Sequence, residues 1–254
     1  MNHKNSGRRV GLARALSKLG YCSRSQAFEL IRAGRVRLNR TVRRDPETPV
    51  DLEGDRIEVD GQTTTLVPKV YLMLHKPRGV MTTASDEKGR KTVYDVLNRD
   101  LPWVAPVGRL DKASEGLLLL TNDSEWAARV LAPETHLDKT YHVQVARVAD
   151  DKLIAALNQG VRVPEGDLLR AKKVGILRSG AKNTWLEIVL DEGKNRHIRR
   201  MLAAFDVEVL RLVRVAIGPL VLGTLPKGAS RSITRDEKAA LDRATGGQGG
   251  QSKV

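Results

Sequence analysis

Apolar residues near the start of the chain recur at the three- and four-residue spacing of amphipathic helices. The first apolar face is formed by Leu12, Ala15, Leu16 and Leu19. Gly20 ends this predicted helix, and Ser23 is a suitable N-cap for a second helix that ends at Gly34. The inward face of the second helix is formed by Ala27, Leu30 and Ile31. Alternating segments then predict short strands at 36–38, 41–43 and 56–59.

Strand patterns dominate the chain after residue 70. The predicted strands are 70–74, 117–121, 140–145, 185–190 and 207–215, and the predicted helices are 93–97, 124–131, 151–157, 195–204 and 235–244. Strands and helices do not alternate regularly, which argues for a mixed, largely antiparallel sheet rather than a doubly wound parallel one. The pattern therefore predicts an α+β fold with four parts. They are a small domain over 8–60, a linker over 61–69, a sheet domain over 70–244 and a disordered Gly-rich tail over 245–254.

The N-terminal domain differs from the rest of the chain in how its charges are distributed. The 254 residues carry a net charge of +14, from 44 Lys and Arg against 30 Asp and Glu, so a polyanion is the first partner to consider. Residues 1–44 hold 12 Lys and Arg against one acid, whereas residues 45–60 hold seven acids against one Arg. Such segregation predicts that one face of this domain binds an anion, with nucleic acid favoured over a membrane surface.

Several classes of site are excluded by composition. The single cysteine, Cys22, excludes an internal disulfide and a Cys-rich metal site, and it fits a reducing cytoplasm. We find no apolar run that would span a membrane, no signal peptide, no dinucleotide or P-loop motif, and no metal-ligand spacing among the five histidines. We therefore expect a cytoplasmic monomer that uses no metal or cofactor and works through carboxylates, arginines and aromatic rings.

The N-terminal domain resembles the αL RNA-binding domain of ribosomal protein S4. The resemblance is carried by the segments 12–16, 22–27 and 30–39 within residues 8–60. The exposed cations predicted to meet phosphates are Arg24, Arg32, Arg35 and Arg37, because a planar guanidinium grips phosphate oxygens in pairs. The alternative is a basic face that is merely solvated.

The segment 108–121 is the densest candidate for chemistry. Glycines bracket a polar loop, and a buried strand follows it, so the loop has a rigid support. Asp111 lies between Arg109 and Lys112 and should carry its negative charge at neutral pH. On spacing alone, a surface turn with local salt bridges is an equally good interpretation.

The whole chain resembles the pseudouridine synthases that modify bacterial ribosomal RNA, in the branch with an αL domain in front of the catalytic domain. Four blocks over about residues 8–240 carry the resemblance: 74–79, 108–121, 139–141, and 192–201 with its continuation 209–220. It implies a catalytic sheet domain of the pseudouridine synthase type, ribosomal RNA as partner, and a reaction without metal or cofactor, since the product is an isomer.

The resemblance also implies roles for three residues. Asp111 matches the catalytic aspartate, Tyr141 the tyrosine that stacks on a flipped-out uracil, and Arg199 the arginine that pairs with the aspartate. The aspartate could act as a base, attack the ribose or add to the uracil, and the sequence leaves these open. Lys194, Arg196 and Arg200 are expected to position phosphates, or else to form a solvated helix face. Arg109 either fixes the loop or touches the RNA backbone.

Two other functions compete with this one. A non-catalytic RNA-binding factor of ribosome assembly has no use for the combination of Asp111, Tyr141 and Arg199. A uridine methyltransferase would need a cofactor motif and a placed cysteine, and the sequence has neither. We expect large-subunit ribosomal RNA as the substrate, with small-subunit RNA as the alternative, and the sequence does not identify the target uridine.

Overall fold

The computed structural model describes residues 9–98, 100–164 and 166–246. The chain forms two compact units. The first comprises the chain up to residue 71 together with 98–105 and 120–124, and the second comprises 72–97, 106–119 and the chain from residue 125 onward. No helix among the described residues is both long enough and apolar enough to cross a membrane. The predicted tail falls mostly on residues 247–254, outside the described ranges.

Over residues 9–71, as far as the structure describes them, the first unit consists of two helices and two small sheets. Its elements are β1 Val10–Gly11, α1 Leu12–Lys18, α2 Arg24–Arg32, β2 Val36–Leu38, β3 Thr41–Arg43, β4 Pro49–Val50, β5 Ile57–Val59 and β6 Gln62–Thr63. The larger sheet has the strand order β3-β2-β5-β6, and β1 pairs with β4. The helices and the larger sheet share one core, which includes Leu12, Leu16, Ile31, Val36 and Val59.

The helix boundaries in this unit confirm the sequence prediction. Ser23 caps α2 by accepting a hydrogen bond from the Gln26 backbone N–H, and the Gln26 side chain accepts a bond from the Ser23 backbone N–H. Gly20 adopts φ +75° after α1, a left-handed conformation that glycine adopts without strain. Strand β6 lies within the segment predicted as a linker, so strand pairing continues to residue 63.

A sheet with nine strands in the described residues dominates the second unit. Its strands are β7 Tyr71–Lys76, β8 Ala105–Val107, β9 Glu115–Thr121, β10 Lys139–Val145, β13 Lys173–Ser179, β14 Thr184–Leu190, β15 Val209–Ile217, β16 Leu220–Val221 and β17 Ser230–Ser232. Strands β11 Val161–Arg162 and β12 Leu168–Leu169 form a separate pair. The sheet order is β13-β14-β10-β15-β9-β7-β17, with β16 beside β15 and β8 beside β9. The sheet is mixed and rich in antiparallel pairs, as the sequence predicted.

Four α-helices accompany this sheet in the described residues. They are α3 Ser124–Leu131, α4 Asp151–Gln159, α5 His197–Ala203 and α6 Arg235–Ala244. Apolar residues of α4 and α5 form one core with the inward face of the sheet, including Leu157, Met201, Val143, Leu186 and Leu212. The helix predicted at 93–97 is instead one short 3-10 turn, Val93–Asp95. The sequence also missed strand β13, because its exposed edge carries no clear alternation.

The parallel pairing of β9 with β15 requires a very close approach of the two backbones. Glu115 lies opposite Val213, and Gly116 lies opposite Arg214. A Cβ atom on Gly116 would lie 2.3 Å from the Arg214 carbonyl oxygen, and Gly116 also adopts φ +111°. Glycine is therefore required at this position on two separate grounds.

Lys76, the last residue of β7, is the most unusual buried group of the second unit. Its side chain has no exposed surface. The ammonium donates hydrogen bonds to the carbonyl oxygens of Pro77 at 3.1 Å, Asp111 at 3.1 Å and Ser114 at 2.8 Å. Burial lowers the pKa of Lys76 to about 8, and the charges of Asp111 and Glu115 oppose that shift. Lys76 thus holds both ends of the loop between Asp111 and Ser114.

Replacement of Lys76 by Met should change how stability depends on pH. The pKa of Lys76 is about 8 in the folded chain against 10.5 for an exposed lysine, so the unfolded chain binds more protons between these values. This residue therefore makes the free energy of unfolding rise with pH across that window, by up to about 3 kcal/mol in total. Denaturant unfolding at neutral pH and at about pH 10 should show a difference between wild type and Lys76→Met that grows with pH.

Lys112→Met is the matched control, because Lys112 lies on the same loop with an exposed side chain. Its pH dependence should follow that of the wild type. Identical pH dependence in the wild type and in Lys76→Met would contradict the lowered pKa of Lys76.

Candidate active site

The loop from Gly108 to Ser114 is fixed at several points before it enters β9. Thr82 donates its hydroxyl to the Leu110 carbonyl at 2.8 Å, and the Gly79 backbone N–H donates to the Lys112 carbonyl at 2.7 Å. Together with the bonds from Lys76, these contacts leave the loop backbone little freedom. The Asp111 side chain is exposed, so its carboxylate is free to meet a ligand while its backbone is held.

Asp111, Tyr141 and Arg199 line one cavity of about 710 Å³. The sequence placed these three residues together only through the family resemblance, and the structure brings them to the same concave surface. A cavity of this volume is large enough for a nucleoside with part of its backbone.

The parallel pair β9–β15 explains why distant segments converge here. The Asp111 loop leads into the first residue of β9, and α5 with Arg199 precedes β15. Because the two strands run in the same direction, the segments that precede them emerge at the same edge of the sheet. Residues 86 positions apart, Arg199 and Ala113, are thereby brought into hydrogen-bonding contact.

Tyr141 reaches the cavity from β10. Its side chain is half-buried and packs against the core shared by the sheet, α4 and α5. Lys139, two residues earlier on the same face, also lines the cavity, whereas Val143 and Val145 continue that face into the core. The aromatic ring is therefore held by apolar packing on one side and open to the cavity on the other.

Arg199 is bonded to the backbone of the loop and makes no direct ion pair with Asp111. Its guanidinium donates to the Ala113 carbonyl at 3.2 Å and to the Val209 carbonyl at 3.5 Å. Burial lowers the pKa of Arg199, the nearby Arg196 and Arg78 lower it further, and the Asp111 charge raises it. The pairing implied by the resemblance is thus an interaction through space in this structure.

Two arginines carry buried N–H groups without a partner among the described residues. They are Nε of Arg199 and Nη2 of Arg214, and both side chains line the cavity. Arg214 donates its Nε–H to the Leu117 carbonyl at 2.8 Å, which fixes its guanidinium beside β9. Buried donors without an acceptor are costly, so a ligand with oxygen acceptors would satisfy them.

Sequence analysis missed Lys76, Arg214 and Glu115. Glu115 lies buried at the start of β9 and is shared by Arg211 at 2.9 Å and Lys227 at 2.6 Å. Burial raises its pKa, the two cations lower it, and the net shift is downward. The sequence carried no clear signal for Lys76, because Leu72, Met73 and Leu74 before it are all apolar and buried and so do not alternate.

The cations predicted to contact RNA from the second unit divide into two groups. Arg109, Lys194 and Arg196 are exposed and line the cavity, where they could meet phosphates. Arg200 is instead paired with Asp167 at 2.7 Å and is absent from the cavity lining.

The four cations predicted in the first unit are all exposed: Arg24, Arg32, Arg35 and Arg37. Arg35 is held in a two-point pair with Asp60, which raises the pKa of Arg35 and lowers that of Asp60. The Arg32 guanidinium lies 6.0 Å from the centre of the Phe28 ring. Arg24 and Arg37 have no acidic partner within the described residues.

Within the described residues, no group of three or more His, Cys, Asp and Glu side chains is placed to share a metal ion. The described histidines thus remain without an assigned ligand role. The absence of a cofactor remains a prediction from the sequence.

Known proteins match this chain over both units. A family model described as RNA pseudouridylate synthase matches residues 70–204, and an S4 domain model matches residues 10–57. An uncharacterized RNA pseudouridine synthase of Aquifex aeolicus is 40% identical over 239 residues, which cover 93% of this chain and 95% of that protein. The ribosomal large subunit pseudouridine synthase B of Bacillus subtilis is 38% identical over 232 residues, 91% of this chain and 94% of that protein.

A crystal structure of a pseudouridylate synthase is similar in fold, with a TM-score of 0.64 and 28% sequence identity. The match covers 91% of this chain and 99% of that one. The likeness therefore extends across both units, not the sheet domain alone. On these matches, the chain belongs to the RNA pseudouridine synthases and carries an S4 domain ahead of its synthase domain.

Proposed function

We propose that this enzyme isomerises a specific uridine of large-subunit ribosomal RNA to pseudouridine, with Asp111 as its catalytic carboxylate. The reaction replaces the bond between N1 of uracil and C1′ of ribose by one between C5 and C1′, and it moves a proton from C5 to N1. The observation that carries the proposal is the single cavity that joins Asp111 to an aromatic wall and to unpartnered arginine donors.

The position of the Asp111 carboxylate is suitable for direct contact with the ribose or the base of the substrate. Its carboxylate is the exposed end of a loop held by Lys76, Thr82 and Arg199, so orientation is provided before the substrate binds. The Asp111 charge interacts with Lys76 and Arg199 without direct contact to either group. A ligand can therefore approach the carboxylate without first breaking an ion pair.

The cavity suits a uridine that has left its helix. A base within a duplex cannot be turned, so the target must be flipped out and held by stacking and by hydrogen bonds to its edge. Tyr141 offers the stacking face, and the free donors of Arg199 and Arg214 suit the carbonyl oxygens of uracil or a phosphate oxygen. Arg109, Lys194 and Arg196 at the same surface suit the neighbouring phosphates.

Ribosomal RNA is proposed as the substrate on two grounds. The S4 domain carries the exposed arginines and the segregated positive charge that suit a large structured RNA. The Bacillus subtilis relative is named for the large ribosomal subunit, which favours that RNA over small-subunit RNA. We expect an enzyme that acts on ribosomal RNA to work in the cytoplasm. Mapping of pseudouridines in both ribosomal RNAs with and without the gene tests this assignment.

Asp111→Asn should abolish isomerisation while RNA binding survives. The Asp111 carboxylate has no hydrogen-bond partner among the described residues, so its replacement should leave the fold intact. Release of tritium from C5-labelled RNA under single-turnover conditions measures the rate.

Asp206→Asn is the matched control for this substitution. Asp206 is exposed, lies away from the cavity lining and has φ +54°, which asparagine also tolerates. Its rate should equal that of the wild type. If Asp111→Asn kept a substantial part of the wild-type rate, the catalytic role of Asp111 would be wrong.

Tyr141→Leu should lower the single-turnover rate by about 5- to 150-fold, because base–aromatic stacking contributes roughly 1–3 kcal/mol. Leucine keeps the apolar contact with the core, so thermal unfolding should change little. Tyr141→Phe keeps the stacking face and should stay within a few-fold of the wild type unless the hydroxyl takes part. Equal rates for the wild type and the Leu variant would show that Tyr141 does not hold the base.

The combined substitution of Arg24, Arg32 and Arg37 by Ala should weaken binding to large structured RNA without lowering the rate on saturated substrate. Each lost phosphate contact makes the slope of log affinity against log salt shallower by about 0.9 on a duplex. Arg35 is kept, because its removal would leave Asp60 without its partner. A salt titration of binding beside a saturating single-turnover assay separates the two effects.

The charge-matched control replaces Arg129, Lys152 and Arg235, three exposed cations of the second unit. It lowers the net charge equally but should leave the salt slope of binding close to that of the wild type. A collapse of the saturated rate with an unchanged slope in the S4 variant would mean that these arginines serve the chemistry instead.

A further inference from the structure

The two faces of the large sheet carry different kinds of side chain. Along β14, Leu186, Ile188 and Leu190 are buried, whereas Trp185 and Glu187 on the other face are half-exposed. The buried side belongs to the core beneath α4 and α5, where Tyr141 also packs. Trp185 therefore lies on the sheet face opposite the catalytic cavity.

On this second face, four strands place an aromatic ring between two guanidinium groups. Arg178 of β13 lies opposite Trp185 of β14, Trp185 lies opposite Gln144 of β10, and Gln144 lies opposite Arg211 of β15. The Arg178 and Arg211 guanidinium carbons lie 5.2 Å and 5.4 Å from the centre of the Trp185 ring. Both distances suit a cation–π contact.

Apolar side chains beside this row form a shallow cavity of about 430 Å³. It is lined by Trp185, Arg178 and Arg211 together with His142, Leu177, Val213 and Val215. Leu177 is 45% exposed, and a side chain on Gly175 of the same edge strand would meet open space. None of the residues that line this cavity also lines the cavity with Asp111.

The charge on this face favours an anionic partner. Arg178 has no acidic partner among the described residues, and its guanidinium lies over the Trp185 ring. Arg211 shares the carboxylate of Glu115 with Lys227, so two cations face one acid. Glu187 is balanced by Lys173 at 3.6 Å. The patch therefore keeps a positive charge beside its aromatic ring.

We propose that the face formed by Arg178, Trp185 and Arg211 binds an unpaired nucleotide of RNA outside the catalytic cavity. The base would replace the exposed Arg178 guanidinium over one face of the indole, and the two guanidinium groups would meet the adjoining phosphates. Unpaired bases of RNA are recognised in this way, by aromatic rings and arginine planes, whereas a paired helix keeps its bases stacked inside. An acidic protein segment would use the arginines but leave the ring and its cavity without a role.

The proposal is tested by photo-crosslinking the full chain to a short single-stranded oligouridylate that contains 4-thiouridine. The position of the crosslink shows where the RNA binds. Peptide mapping should place one adduct on β13 or β14, near Trp185. Trp185→Phe should keep this adduct, and Trp185→Ala should reduce its yield by about fivefold or more. Arg178→Ala should reduce it as well, and this exposed edge position gives a second variant if Trp185→Ala unfolds.

Lys152→Ala is the control, because Lys152 is exposed on α4, which packs against the opposite face of the sheet. Its adduct yield should equal that of the wild type. The proposal is overturned if no adduct maps to these strands, if Trp185→Ala and Arg178→Ala leave the yield unchanged, or if an unlabelled duplex competes as well as an unlabelled single strand. Sedimentation that shows a dimer dissociated by Trp185→Ala would assign the face to a second copy of the chain instead.

The crosslinking result is independent of the isomerisation. An Asp111→Asn chain should give the same adduct near Trp185, so failure of the proposed catalytic role and failure of this binding face would be told apart. Adducts on peptides of the catalytic cavity serve as an internal reference in the same experiment.

Discussion

A buried ammonium beneath a backbone loop is the constraint on which the proposed active site depends. The three N–H groups of Lys76 meet three carbonyl oxygens, two of which bracket the segment that carries Asp111. The burial of a charge is costly unless its hydrogen bonds are satisfied, and here each donor has an acceptor. A hydrophobic side chain of similar size could fill the space, but it would leave those carbonyls without a donor and the loop without its anchor. The carboxylate can therefore be exposed and still be well oriented.

Arg199 holds the same loop from the side of α5. It bonds to the Ala113 carbonyl and leaves its Nε–H and the neighbouring Nη2 of Arg214 without partners among the described residues. This arrangement separates two tasks that a direct ion pair would combine. The backbone bond positions the loop, and the remaining donors stay available for a ligand. The charge of Asp111 then acts on Arg199 through the cavity rather than through a contact that a ligand would have to displace.

The local sequence pattern was enough to predict much of the fold, but it did not predict which residues surround Asp111. The bounds of α3 and α6 match the prediction in full, because an apolar face and a capping box such as that of Thr234 with Glu237 are local signals. The convergence of Asp111 and Arg199 on one cavity followed only from a family resemblance. The roles of Lys76 and Arg214 were not predicted, because the carbonyls that satisfy them lie far along the chain, in the 111–114 loop for Lys76 and in β9 for Arg214. Strand β13 was missed for the opposite reason, since an exposed edge strand need not alternate.

The pairing of β9 with β15 at Gly116 also affects the order in which the two domains fold. The described core of the S4 domain is built from residues between 10 and 59, so its members are close together in the sequence. The synthase site instead requires β9 to meet β15, with partners such as Arg214 and Leu117 that lie 97 residues apart. Contacts of large sequence separation form slowly, because a long loop must close before they contribute any stability. During synthesis, the S4 domain is therefore complete long before the last residues of the proposed catalytic cavity have been made, and the nascent chain gains the means to hold RNA before the means to modify it.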